Sequence, residues 1–174
     1  VGYTTTGEQT YATLVKLVSR ITLKKVKTFK GMDGVGINAD VYFDGKKVAE
    51  ALDEGCGGEL YIQWLDSKME SVVAAYITSL NIPAEVVHCE GTSDFEMPYD
   101  LEHIINTFVD GMETQKRLKA ICRTKTLIRL TNGEFVTFNL AFSPAVKTAL
   151  AAQIPNFPKK FGAAFEAIVN EELA

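Results

Sequence analysis

Between Gly36 and Leu65 the apolar positions recur at every second residue, and no other stretch of the chain is so regular. Ile37, Ala39, Val41 and Phe43 alternate with Asn38, Asp40, Tyr42 and Asp44, the period of a strand with one face buried and one wet. Asp44-Gly45 follows at once. A type I′ turn needs φ > 0 at both central residues, which Gly tolerates and Asp accepts better than most, so the dipeptide predicts a tight hairpin. Lys46 to Leu52 then returns antiparallel and sets Val48 opposite Val41. A Gly55-Cys56-Gly57-Gly58 loop leads to Leu60, Ile62 and Trp64 on one face of a further strand, completing a β-meander. Upstream, Tyr11, Leu14, Val15 and Val18 predict a short amphipathic helix over 8–20. Ile21 to Phe29 reads as a strand whose alternation is broken by Lys24-Lys25, the mark of a bulge or an exposed edge.

Helical spacing takes over after the meander. Ser67 and Glu70 have the spacing of a capping box. Met69, Val72, Val73, Tyr76, Ile77 and Leu80 follow as one stripe, worth roughly 10 kcal/mol of gross burial before chain entropy is subtracted. Pro83 ends the connection, 84–89 reads as a short strand, and 90–99 as a polar loop closed by Pro98. Asp100 caps a helix with Leu101, Ile104, Ile105, Phe108 and Met112 on one face, which Gly111 is expected to bend or end before a segment over 116–120. Asn132-Gly133 predicts a second I′ hairpin joining 124–131 to 134–142. Ser143-Pro144 starts a helix carrying Val146, Ala149, Leu150 and Ile154, and a last helix after Pro158 carries Phe161, Phe165, Ile168 and Val169. Tight hairpins in place of crossovers imply an α+β fold: an antiparallel sheet built from a β-meander and a C-terminal hairpin, covered by amphipathic helices. The expected organisation is an N-terminal helix or arm over 1–20 and a single α+β domain over 21–174, with a subdomain split near residue 120 as the alternative.

Composition narrows the setting. With 174 residues, 47% hydrophobic and 23% charged, the chain can bury a core and is not a disordered polymer. Its longest apolar run, Val72 to Ile77, is far short of the ~20 residues of a membrane span, and no apolar leader with a cleavage site opens it. Three cysteines without paired spacing argue against a disulfide framework and for reduced thiols in a cytoplasm. Charge is segregated. Residues 1–47 carry net +4, 48–115 carry net −13 with one lysine, and 116–174 carry net +5, beneath an overall −4. Such segregation bears on partners and association rather than on fold.

No catalytic signature accompanies it. The Gly31-Met32-Asp33-Gly34-Val35-Gly36 loop could offer amides to a phosphate, but a strand follows where a dinucleotide fingerprint needs a helix, so a plain turn is the simpler account. Cys56, His88, Cys89, His103 and Cys122 lack metal-ligand spacing, and nothing local activates either thiol for a Cys–His pair. Asp53, Glu54 and Glu59 flank a glycine loop without matching a calcium pattern. We therefore expect no catalytic residue, no metal and no cofactor. Lys24, Lys25, Lys27 and Lys30, with Lys116, Arg117, Lys119, Arg123, Lys125 and Arg129, could contact nucleic acid, but the acidic middle would repel the same backbone unless it faced away. Direct nucleic-acid binding is therefore not expected, nor is a membrane partner.

The acidic block admits three roles: internal pairing with the basic flanks, self-association, or an anionic face that imitates nucleic acid towards a basic partner. The segment ITLKKVKTFKGMDGVGINADVYFDGKKVAEALDEGCGG, Ile21 to Gly58, resembles small uncharacterised proteins encoded by bacteriophages and prophages. The shared pattern is a lysine-rich strand, then Ala-Asp-aliphatic-Tyr, then Asp-Gly-Lys-Lys-Val and a Gly-Gly loop. The resemblance implies an accessory phage protein acting in the bacterial cytoplasm, often against a host factor or defence system. It defines no catalytic residues. The expectation is a non-enzymatic protein that binds and inhibits a basic host protein, in its sharper form as an anti-CRISPR or anti-restriction inhibitor. Its candidate contacts are Asp53, Glu54, Glu59, Glu90, Asp94, Glu96 and Asp100. The alternatives are a small nucleotide-binding protein or enzyme using the 24–36 region, and a phage structural component that forms homo-oligomers.

Overall fold

The computed structural model describes residues 7–87 and 95–173, which divide into two compact units, Val1–Gly111 and Met112–Ala174. The class is α+β and every sheet is antiparallel.

In the first unit, α1 (Gly7–Leu17) leads into β1 (Ile21–Lys30), β2 (Val35–Phe43), β3 (Lys46–Asp53) and β4 (Tyr61–Trp64), paired in the order β1-β2-β3-β4. This is the expected meander. Asp44 and Gly45 take φ of 50° and 76°, the left-handed pair that an I′ turn requires. The hairpin tip is held from outside by Arg20, whose Nε and Nη2 donate to the two Asp44 carboxylate oxygens at 2.8 and 2.5 Å while its guanidinium lies over Phe43 and Tyr76. The Lys24-Lys25 break is a bulge: the register slips between Lys24 and Lys27, and Lys25 adopts φ 51°. A second bulge was not foreseen. Val41 faces Ala49 and Tyr42 faces Lys47, so Val48 is the extra residue and not the partner of Val41.

One face of this sheet buries Ile21, Ile37, Ala39, Val41, Phe43, Ala49 and Ala51 against Leu14 and Val18 and against two further helices, α2 (Ser67–Ser79) and α3 (Leu101–Cys122). α2 is capped by Asp66 rather than by a Ser67–Glu70 box. Asp66 keeps an extended backbone and its Oδ1 accepts from the Lys68 amide at 3.0 Å, one residue earlier than the sequence spacing suggests. Its stripe is narrower than expected, since Val73 and Ile77 are buried but Val72 is 46% exposed. α3 supplies Leu101, Ile104, Ile105, Phe108 and Val109. Gly111 does not end it; the helix continues to Cys122, and the glycine makes room for the Tyr11 ring. Short β5 (Glu85–Val87) pairs with β6 (Phe95–Met97), so part of the expected polar loop is strand.

In the second unit, β7 (Thr126–Leu130) lies between β8 (Phe135–Phe138) and β9 (Phe165–Ile168). The C-terminal hairpin forms, but its turn is not I′. Only Gly133 has positive φ (83°), and its amide donates to the Leu130 carbonyl at 2.9 Å, the signature of a three-residue loop closing on a glycine. β8 also stops at Phe138, short of the expected residue 142. Ser143 caps α4 (Pro144–Gln153) as expected, accepting from the Val146 amide. The last predicted helix is a correction. α5 (Phe157–Phe161) is closed by Gly162 in the left-handed region, after which 165–168 pairs with β7 and only α6 (Val169–Glu172) is helical again. Phe157, Leu150, Ile128 and Leu130 form one small core, and Leu118, Leu127 and Val169 another.

Candidate acidic site at the end of the four-stranded sheet

Strand β3 ends at Asp53, and what holds the chain beyond it is a contact between glycines. The Gly31–Gly34 turn and the loop after β3 touch backbone to backbone: a Cβ on Gly31 would lie 2.5 Å from the Gly55 Cα and 2.7 Å from the Glu54 carbonyl oxygen. The amide of Asp33 donates to the Gly55 carbonyl at 2.9 Å, and that of Gly31 to the Gly34 carbonyl at 2.9 Å. Two of the amides that a phosphate could have used are thus already spent within the protein. This accounts for Gly31 and Gly36 as close-packing residues, in keeping with a turn.

Asp53 continues the tie by accepting from the Gly55 amide at 2.7 Å, an Asx-type turn. At the far end of the loop, the buried Leu60 donates its amide to the Glu102 carboxylate of α3 at 3.1 Å. A pocket of about 280 Å³ opens between these anchors, with Asp53, Glu54, Glu59, Cys56, Leu52 and Tyr61 among its lining residues. Leu52 and Tyr61 face each other across β3 and β4, both substantially exposed. Carboxylates therefore rim a surface that also offers an aliphatic and an aromatic wall.

Three of the seven candidate carboxylates, Asp53, Glu54 and Glu59, are brought together here. Asp100 does not line the pocket; it caps α3, accepting from the His103 amide at 2.8 Å. Glu90 and Asp94 lie outside the described residues, as does the side chain of Glu96, whose backbone pairs with Val86 in β6. Sequence reasoning missed Leu52, Tyr61 and the anchor Glu102. Strand parity held the signal for the first two, since both alternate with core-facing neighbours.

Several cations of the basic flanks meet carboxylates elsewhere. Arg20 takes Asp44, Lys25 and Lys47 converge on Asp40 at 3.0 and 2.7 Å, and Lys47 also reaches Glu50. In the second unit Arg129 holds Glu166 and Glu172, and Lys147 holds Glu171. Among the described residues no lysine or arginine stands within ion-pair distance of Asp53, Glu54, Glu59 or Asp100. The two basic groups named from the sequence fall in different units, Lys24–Lys30 in the first and 116–129 in the second. Among the described residues, no group of three or more His, Cys, Asp or Glu side chains is placed to hold a metal ion. Burial pushes the Cys122 thiol up from its ordinary value, the reverse of an activated thiolate. Among the described residues no helix is long and apolar enough to cross a membrane.

No protein-family model, curated protein or solved structure matches this chain.

Proposed function

We propose that the first unit is a protein-binding module that engages a partner with a basic surface through the Asp53–Glu54–Glu59 rim, and that the chain is a phage-type accessory protein which inhibits a host defence or nucleic-acid-handling protein in this way. One observation carries the reading. Three acidic residues that have no cationic partner among the described residues line a pocket with Leu52 and Tyr61 in its wall, while Arg20, Lys47 and Arg129 meet carboxylates elsewhere. Lysine and arginine side chains are amphipathic, so such a surface suits them: the stem lies on Leu52 or Tyr61 and the cationic head meets carboxylate. A rim of one sign also steers a basic partner and raises its rate of encounter. The host setting rests on the resemblance of Ile21 to Gly58 to phage-encoded proteins.

The test is affinity capture from bacterial lysate at low and at high salt, with wild type, the Glu54→Lys/Glu59→Lys variant and Tyr61→Ala as baits. A specific partner retained at low salt, lost at high salt and lost to the double reversal supports the reading. Inhibition of that partner's own activity by wild type, and not by the double reversal, supports the inhibitory role. A captured set identical for wild type and the double reversal rejects it.

A further inference from the structure

Among the described residues the helices pack on only one face of the four-stranded sheet, and the other carries exposed side chains such as Lys24, Lys27 and Phe29. On the open face the β1–β2 half differs in kind from the acidic end. Register places Thr22, Lys24, Lys27 and Phe29 of β1 beside Tyr42, Asp40, Asn38 and Gly36 of β2, all with parity opposite to the buried Ile21, Ile37, Val41 and Phe43. Asp40 is the single carboxylate of this lane, and Lys25 and Lys47 both neutralise it. Among the described residues Lys24 and Lys27 have no carboxylate partner; Lys24 sits 4.2 Å from the centre of the Tyr42 ring. Phe29 lies across Gly36, where a Cβ would strike its ring, and is still 45% exposed. The missing side chain lets that ring rest on the sheet with its other side to solvent.

We propose that this lane binds single-stranded nucleic acid, with bases stacking on Phe29 and Tyr42 and phosphates meeting Lys24 and Lys27. An exposed ring and a half-buried one interleaved with exposed lysines along one sheet face suit a base-stacking, backbone-tracking ligand. An acidic protein would use the lysines but has no need of a bare ring over a glycine. From Gly36 to Tyr42 the lane runs roughly 20 Å at strand rise, room for about four nucleotides, the low end of known site sizes. The objection from the sequence was repulsion by the acidic block. In the fold the rim meets only the Gly36 end of the lane, where Ile37 pairs with Asp53 and Gly31 packs on Gly55; Lys24, opposite Asp40, lies four residues or roughly 13 Å further along β2, beyond the ~8 Å screening length at physiological salt.

The experiment is fluorescence anisotropy with a labelled oligothymidylate of about eight nucleotides, titrated with the full chain across a salt series. Expected is salt-sensitive binding that Lys24→Glu/Lys27→Glu weakens at least tenfold, while Lys24→Gln/Lys27→Gln flattens the log–log salt slope by about 1.4. Phe29→Ala should weaken binding about five- to a hundredfold at unchanged slope. Thermal melts confirm that each variant is folded; if Phe29→Ala is not, Phe29→Leu replaces it and should also bind less tightly. The idea is overturned by no binding at low salt, by binding indifferent to Phe29, or by duplex DNA and heparin competing as well as the single strand does. Concentration-dependent self-association abolished by the lysine reversals, without an oligonucleotide response, also overturns it in favour of a second copy as occupant. The outcome is independent of whether the Glu54–Glu59 rim captures a protein.

Discussion

Gly31 and Gly55 touch main chain to main chain, and this contact sews the β1–β2 turn to the loop that carries the acidic rim. A methyl group on either would have to displace backbone rather than a flexible side-chain tip. Gly31→Ala is therefore expected to cost toward ~3 kcal/mol, the upper end for overpacking, read as a lower urea midpoint at constant m. It should also impair partner capture, because the pocket depends on where that loop is held.

A second glycine behaves against helix propensity. Alanine is about 1 kcal/mol better than glycine inside a helix, so Gly111→Ala in α3 should stabilise on propensity alone. Tyr11 forbids it: a Cβ at 111 would run into the ring, with Cδ1 at 2.7 Å, and the ring is braced edge-on against Phe108. We expect a net loss of about 1–2 kcal/mol. The double variant with Tyr11→Ala should lose less than the sum of the two single changes, which a double-mutant cycle in urea measures.

Asn170 is buried at the start of α6 and makes three hydrogen bonds. Its Oδ1 accepts from the Leu127 amide at 2.8 Å, and its Nδ2 donates to the Cys122 and Lys125 carbonyls at 3.2 and 2.9 Å. Asn170→Ala leaves one donor and two acceptors without partners, an expected cost of about 3 kcal/mol. Hydrogen exchange should rise first at the Leu127 amide.

Acid stability should report Asp40. The two ammonium groups of Lys47 and Lys25 hold its carboxyl below the ordinary carboxylate range, Lys47 contributing most. A depressed folded pKa contributes stability that is present above the unfolded value, about 3.9, and is lost as pH falls through the folded value. The Tm difference between wild type and Asp40→Asn should thus be constant near neutrality and shrink below about pH 4. A difference that instead grew on acidification would contradict the pairing.

Thiol chemistry gives a probe of the rim. Cys56 is an exposed pocket residue, whereas Cys122 is half-buried with its thiol pushed up by burial. In a Cys89→Ser background, a maleimide should modify Cys56 well before Cys122 at neutral pH. A bulky adduct at Cys56 should block partner capture, and capture that survives full modification would place the contact elsewhere.

Much of this fold is written in short-range patterns. Alternation over 37–43 makes a strand whatever surrounds it, Asp44-Gly45 turns because both residues tolerate positive φ, and Ser143-Pro144 starts a helix through its own hydroxyl and ring. Where local signals conflicted, tertiary contacts decided. The spacing of Phe161, Phe165, Ile168 and Val169 suits a helix, yet Gly162 ends that helix and β7 captures 165–168 as a strand. Glycine at 111 reads as a breaker when its only visible neighbours are those in sequence. Val48 reads as the partner of Val41 until the bulge shifts the register.

The candidate site divides the same way. Sequence by itself determined that the middle of the chain is acidic and that Asp53, Glu54 and Glu59 flank a loop held by glycines. Only tertiary structure decided which carboxylates are neutralised, because an ion pair forms between side chains brought within about 4 Å, whatever their separation along the chain. Arg20 meets Asp44 at the far end of a hairpin, and Lys25 meets Asp40 because a bulge redirects it. The rim is left without a cation by the same pairing register that gives Asp40 two.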